Sequence, residues 1–264
     1  MAFGLIIIGD EILSGKRSDK HLPKVIELLA ERGLQLAWAE IVGDDPARIT
    51  QVLKRTLAGP DIVLSTGGIG ATPDDHTRQC AAAALGVPLE LHPEGKLLIQ
   101  ERIRETAGQD ADLDAPDNLQ RLKMAEFPQG ASLIPNPYNR IPGFTAVRRP
   151  GGQHHFVPGF PVMAWPMIAW VLDTHYAGLF HGEARAERSL LVYEQAESTL
   201  TPLMEALEAR YPGVRVFSLP SVGDAQTRRH IELGVKGDAA QVGAAFAEMR
   251  AELDRMKADY RLST

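Results

Sequence analysis

The feature that most restricts this chain is the alternation of strand-like and helix-like patterns over its first 86 residues. Gly4 to Ile8 is a continuous apolar run, the pattern of a strand covered on both faces. Residues 19 to 33 place Leu22, Val25, Ile26 and Leu29 on one helical face, and Gly33 is a natural stop. Leu34 to Val42 reads as a second strand. Asp45 and Pro46 then start a helix: an N-cap oxygen, followed by a proline whose missing N–H is not needed in a first turn. Ile49, Val52, Leu53 and Leu57 form that helix's buried stripe, and Asp61 to Ser65 is a third strand. A glycine-rich loop leads into a helix from about Asp75 to Leu85, ended by Gly86. Such alternation predicts an α/β fold with a parallel sheet and right-handed crossovers. Ligands of these sheets sit beyond the carboxyl ends of the strands, which here means the loops after Ile8 and after Ser65.

The middle of the chain is less regular. Residues 94 to 107 read as a helix, and residues 108 to 117 as a polar loop carrying Asp110, Asp112, Asp114 and Asp117. That acidic run lacks the glycine and the closing glutamate of a calcium loop and is expected to be solvated. Pro135, Pro137, Pro142, Gly143, Pro150, Gly151 and Gly152 mark turns between short strands, and residues 161 to 180, with Trp165 and Trp170, read as a helix closing the main domain. Composition shifts near Gly182 to Arg185. Beyond it, strands at 188–193, 214–218 and 229–236 and helices at 198–210 and 238–257 suit a small α+β domain. The expected domains are residues 1–183 and 184–264.

A net charge of −6 over 264 residues argues against a nucleic-acid partner, which needs a basic face. It leaves room for a small anion held by backbone amides. No stretch approaches the roughly 20 apolar residues of a membrane span, so no membrane partner and a cytoplasmic location are expected. Cys80 is the single cysteine, which precludes an internal disulfide, and it is expected to be a small buried helix residue. His154 and His155 face opposite sides of a strand and are expected at the surface rather than as paired metal ligands.

The loop Thr66 to Asp75 carries the clearest chemistry. Glycines at 67, 68 and 70 let the backbone turn sharply and bring its N–H groups close to a ligand; the following helix start adds partial positive charge, and Thr66 and Thr72 add hydroxyls. Phosphate is the natural guest. The spacing is neither the dinucleotide fingerprint nor the P-loop, and a plain strand-to-helix turn with Asp74 or Asp75 as N-cap is the competing interpretation. After the first strand, Asp10 and Glu11 fall where ligands gather. With Asp74 and Asp75 they would set several carboxylates beside a bound phosphate, an arrangement that calls for Mg²⁺ or a similar divalent cation between them; capping and surface charge are the alternative.

Four motifs then occur in order: Gly9-Asp10-Glu11-Ile12-Leu13-x-Gly15, Gly43-Asp44, Thr66-Gly67-Gly68-x-Gly70-x-Thr72-Pro73-Asp74-Asp75-x-Thr77, and Pro158-Gly159-x-Pro161. Together they resemble the molybdopterin-binding domain of the CinA (competence/damage-inducible protein A) family, over about residues 3 to 180. Residues 185 to 260 resemble that family's small second domain, and the third, deamidase domain of full-length members is not found in these residues. The resemblance implies a three-layer α/β/α domain with a mostly parallel sheet, a nucleotide or pterin ligand such as molybdopterin, and a homo-oligomer. CinA-type members resemble metal-dependent pyrophosphatases acting on ADP-ribose. By motif match, Asp75 takes the metal-linked acidic position and Gly67, Gly68 and Gly70 the phosphate-cradling positions; the placement of Asp10 after the first strand makes it the expected second metal ligand. Asp74 or Glu11 would orient the water. Thr66, Gly67, Gly68, Ile69, Gly70, Thr72, Pro73, Asn136, Pro158 and Gly159 would surround the ligand with Asp10. Binding without turnover, or a structural role with a decayed site, are the other implied possibilities.

The motifs also depart from the family. Phe160 replaces a proline, Met163 stands where a glutamate is usual, and Ala164 replaces a methionine. Asn139-Arg140-Ile141 replaces Gly-Thr-Ala, and His21 replaces an asparagine. The lost carboxylate and the rebuilt loop bear on catalysis more than on binding.

Overall fold

The computed structural model describes residues 2–147, 152–182, 185–224 and 227–263. Pro150 and Gly151, expected in a turn, and Glu183 and Ala184, at the expected boundary, lie outside the described residues. Contacts divide the chain into two compact units, Met1–Phe180 and His181–Thr264.

In the first unit the elements run β1 (Phe3–Ile8), α1 (Asp10–Leu13), α2 (His21–Ala30), β2 (Leu36–Val42), α3 (Pro46–Leu57), β3 (Ile62–Thr66) and α4 (Thr77–Leu85). They continue as β4 (Leu89–Leu91), α5 (Pro93–Ala107), α6 (Pro116–Leu122), β5 (Glu126–Pro128), β6 (Ser132–Ile134), β7 (Gly143–Val147), β8 (Gln153–Val157) and α7 (Pro161–His175). Six strands form one sheet in the order β2-β1-β3-β8-β7-β6. β2, β1, β3 and β8 are mutually parallel, and at one side β7 pairs antiparallel with β8 and β6 antiparallel with β7. The sheet is therefore mostly parallel, as expected, with a mixed edge built from the proline- and glycine-rich region.

Why β1 reads as an unbroken apolar run is now plain. Leu5 and Ile7 pack with Val25 and Leu29 of α2 and Met167 and Val171 of α7 on one face. Ile6 and Ile8 pack with Ile49 and Leu53 of α3 and Cys80 and Ala81 of α4 on the other. Both faces are covered, giving an α/β/α sandwich. β2, at the edge, alternates between half-buried and exposed instead.

Local signals act as expected at several ends. Asp45 accepts from Arg48 N at 2.7 Å with Pro46 in the first turn, and Gly86 closes α4 at φ 72°. α2 is shorter than its pattern because Asp19 accepts from the N–H groups of His21 and Leu22, both at 2.9 Å, and so sets its start. The four aspartates of 108–117 are exposed, as expected, but Pro116 and Asp117 already belong to α6.

The second unit comprises β9 (Arg185–Tyr193), α8 (Glu197–Arg210), β10 (Val214–Ser221), β11 (His230–Asp238), α9 (Ala239–Arg255) and β12 (Tyr260–Leu262). Its antiparallel sheet has the order β10-β11-β9-β12 and buries Leu190, Leu233 and Val235 against Leu203, Phe246 and Met249 of the two helices. The short strand β12 was not expected from the sequence.

His154 and His155 correct the expectation of surface residues: they are 0% and 1% exposed. His155 belongs to a buried relay. Tyr176 donates its hydroxyl to Gln153 Oε1 at 2.7 Å, so His155 Nε2 must donate to the Tyr176 oxygen at 2.6 Å. Nδ1 then accepts from Thr145 Oγ1 at 2.9 Å. This satisfies a neutral ring, and burial pushes the His155 pKa down to about 3. His154 is pushed down to about 3 by the same cause.

Candidate functional site

The loops after β1, β3 and β8 gather at the carboxyl ends of the parallel strands, the place this topology reserves for ligands. There they enclose a cavity of about 520 Å³. Its lining takes Glu11 and Arg17 from the first loop, Gly68 to Thr72 with Asp74 and Asp75 from the second, and Pro158 to Phe160 from the third. Met124, Asn136, Asn139, Ile141, Pro142 and Met163 complete it.

The glycine loop is shaped by backbone contacts that exclude a side chain. Gly67 has φ 100°, and a Cβ there would lie 2.1 Å from the carbonyl oxygen of Ile8. Its N–H donates to Val157 O at 3.0 Å, so the loop is pinned between β1 and β8. Gly68 has φ 67° and faces Thr77, whose hydroxyl donates to Gly67 O at 3.1 Å and whose N–H donates to Gly68 O at 3.0 Å. The N–H groups of Gly68, Ile69, Gly70 and Ala71 have no protein acceptor among the described residues. Four consecutive unpaired donors on a cavity wall are what an anion cradle requires.

The carboxylates around this cradle have distinct tasks. Neither Asp74 nor Asp75 is the N-cap of α4, which corrects the plain-turn interpretation: His76 stands there, without a side-chain cap. Asp75 instead closes the loop on itself, accepting from Thr72 N at 2.8 Å and from the Thr72 hydroxyl. Asp74 is exposed, and the Thr72 side chain, shared with Asp75, and then its own backbone N–H hold its carboxyl below the ordinary range. Asp10 lies off the lining. It donates its N–H to Asp44 Oδ2 at 2.8 Å and accepts from Asp44 N at 3.1 Å, a reciprocal pair tying the loops after β1 and β2. Burial pushes the Asp44 carboxyl up, and the charges of Asp10, Glu11 and Asp74 push it further, against the Asp10 N–H, which pulls it down. These acidic groups thus share one negative field.

Several residues expected to touch the ligand support the wall instead. Thr66, Gly67 and Pro73 lie off the lining. Asn136 lines the cavity, but its amide is spent on Asn139 Oδ1 (2.8 Å), Ile141 O (2.9 Å) and Tyr138 N (3.0 Å), which shape the rebuilt 138–141 loop. His21, in the place of the family's asparagine, donates from Nε2 to Gly159 O at 2.9 Å and holds the Pro158-Gly159 turn against α2. Met163, in the place of the glutamate, receives the Asn139 amide on its sulfur at 3.3 Å.

Two arginines escaped the sequence analysis. Arg78 is 2% exposed behind the loop and donates from Nη2 to Gly70 O at 2.6 Å, while Nε and Nη1 have no partner among the described residues. Burial pushes its pKa down, offset by Glu126 and Asp75. Its signal was a lone arginine three and four positions before the buried Ala81 and Ala82 on one face of α4. Arg17, on the lining, sits in an irregular loop where no periodicity marks it.

With this geometry established, the relatives are informative. A family profile described as "Probable molybdopterin binding domain" matches residues 4–176, and the chain belongs to that family. Within it the chain is similar to CinA-like proteins. It is 32% identical over 264 residues to one from Anaeromyxobacter sp. (strain Fw109-5), covering 94% of this chain and 62% of that protein. It is 34% identical over 220 residues to one from Anaeromyxobacter dehalogenans (strain 2CP-C), covering 81% and 51%. The chain thus spans less than two thirds of the length of these relatives. The crystal structure of the protein CinA with unknown function from Thermoplasma acidophilum matches with a TM-score of 0.57 at 25% identity, over 66% of this chain and 98% of that one. The family expected from the motifs is the family found. Among the described residues no helix is long and apolar enough to cross a membrane.

Proposed function

We propose that the cavity binds the phosphates of a nucleotide-type ligand and that the chain hydrolyses the pyrophosphate of an ADP-ribose-like dinucleotide with a divalent cation. The carrying observation is the run of unpaired amides at 68–71 on the wall that also bears Glu11, Asp74 and Asp75. Phosphate and carboxylates at such close quarters repel unless positive charge, from a side chain or a bound ion, lies between them. The oxygen donors suit a hard ion such as Mg²⁺. Among the described residues no three His, Cys, Asp or Glu side chains converge at ligand spacing. An ion would therefore be held by one or two carboxylates, Asp75 first, with phosphate oxygens and water completing its shell. Asp10, tied to Asp44 and off the cavity lining, is not counted among those carboxylates. When bound, the ion neutralises phosphate charge and acidifies a water. The protein's own part is to fix the phosphate with the loop amides, to hold the loop through Thr72 and Asp75, and to present Asp74 and Glu11 for orienting a water.

One observation favours a second reading, binding of molybdopterin or another pterin without turnover: Met163 contributes no carboxylate where the family has one.

The test is AMP release from ADP-ribose and FAD with Mg²⁺, Mn²⁺ and Co²⁺ in turn. Asp75→Asn keeps an oxygen for Thr72 N but loses the charge, and release is expected to fall at least about 100-fold with the fold intact. Asp75→Ala also leaves Thr72 unpaired and is expected to cost about 1–2 kcal/mol of stability. Undiminished turnover by Asp75→Asn contradicts the hydrolytic reading. No release by the wild type, with calorimetric binding retained, favours the carrier.

A further inference from the structure

We propose that Arg17 is the anion clamp of this cavity and that, with the amides of residues 68–71, it holds a pyrophosphate group without a divalent cation. The inference rests on the anion-binding half of the function proposed above and not on hydrolysis.

Arg17 follows α1 and is set by its N–H, which donates to Glu11 O at 3.0 Å; the two residues are thereby held on one turn and line the same cavity. Its guanidinium makes no ion pair or hydrogen bond among the described residues. Glu11, Asp74 and Asp75 line that cavity too, yet none of them takes it. Among the described residues Arg17 is the only cationic side chain of the lining; Met163 and Asn139 add no charge. Without it, every charged side chain of the lining that an anion meets is negative. A guanidinium presents a planar fork of donors that matches phosphate oxygens in pairs, and the loop amides supply donors from a second direction. Together they satisfy a diphosphate from two sides, which leaves a metal free to serve the chemistry rather than the binding. The neighbouring Lys16 does not line the cavity and serves as the control.

The experiment is calorimetric titration of the full chain with inorganic pyrophosphate and with ADP-ribose, both in EDTA. Wild type, Arg17→Ala, Arg17→Lys and Lys16→Ala are compared, each checked for folding by tryptophan fluorescence. Wild type is expected to bind both compounds. Arg17→Ala is expected to weaken both by about tenfold or more, because it removes charge-assisted hydrogen bonds. Arg17→Lys should recover part of the loss, keeping the charge without the fork. Lys16→Ala should stay within about twofold of wild type. The proposal is overturned if Arg17→Ala binds like wild type, if Lys16→Ala loses as much, or if wild type binds only once Mg²⁺ is added. Failure of hydrolysis is a separate result. A chain that binds in EDTA through Arg17 and never releases AMP keeps this inference and loses the pyrophosphatase, whereas one that releases AMP but binds nothing in EDTA does the reverse.

Discussion

Replacing Gly67 by alanine lowers the stability of the first unit by about 2–4 kcal/mol and abolishes ligand binding. The reason is steric and has no soft outlet. The new Cβ would lie 2.1 Å from Ile8 O, a backbone atom at the end of the central strand β1. Gly67 cannot retreat, because its N–H is bonded to Val157 O and its carbonyl to Thr77 Oγ1. Relief therefore comes only by moving the loop, and with it the amides of 68–71. Gly15→Ala is the comparison: φ there is 71°, but nothing lies within 4 Å of the added atom. That variant carries the left-handed backbone penalty alone, about 1 kcal/mol. Trp38, Trp165 and Trp170 all lie in the first unit, so urea unfolding followed by tryptophan fluorescence reports on it directly. Equal midpoints for the two variants would show that the Ile8 contact is not what fixes the loop.

Acidification supplies the second large effect. His154 and His155 fall from the ordinary value of 6.5 to about 3 in the folded chain. Below pH 6.5 the unfolded chain binds protons at both rings and the folded chain does not. Stability is therefore complete above about pH 6.5 and falls as pH drops toward 3, by about 1.4 kcal/mol per pH unit for each histidine. Between pH 8 and pH 5 the loss sums to about 4 kcal/mol. The raised carboxyl of Asp44 acts in the opposite sense, since it takes up a proton more readily when folded. Unfolding midpoints at pH 8, 6.5 and 5 measure the balance. A flat profile would mean that both rings take up protons in the folded protein as readily as in the unfolded one.

Much of the first unit was legible because its signals are local. The unbroken apolar runs of β1 and β3 announce strands covered on both faces, and Asp45-Pro46 and Gly86 mark helix ends within a few residues of their partners. The glycine loop was legible for the same reason, since Gly67, Gly68 and Thr77 interlock within 11 positions. What the sequence concealed is set by distant partners. His155 is buried and neutral because Thr145 and Tyr176, 10 and 21 residues away, complete its hydrogen bonds. Asp10 turns aside from the cavity because Asp44, 34 residues on, takes its carboxylate and its N–H. Asn136 is spent on its own loop, a pattern that a residue list cannot show. Arg17 and Arg78 are ordinary surface residues by composition. Only the packing of three loops makes one a cavity cation and the other a buried support of Gly70.

The central claim is that the amides of residues 68–71 receive the phosphates of the ligand. The most direct measurement is amide NMR of the full chain during titration with ADP-ribose. The account predicts saturable shifts of the Gly68, Ile69, Gly70 and Ala71 resonances, larger than those of amides already bonded within the protein, such as Gly67 and Thr77. Saturable binding that moves other resonances and leaves these four in place would contradict it.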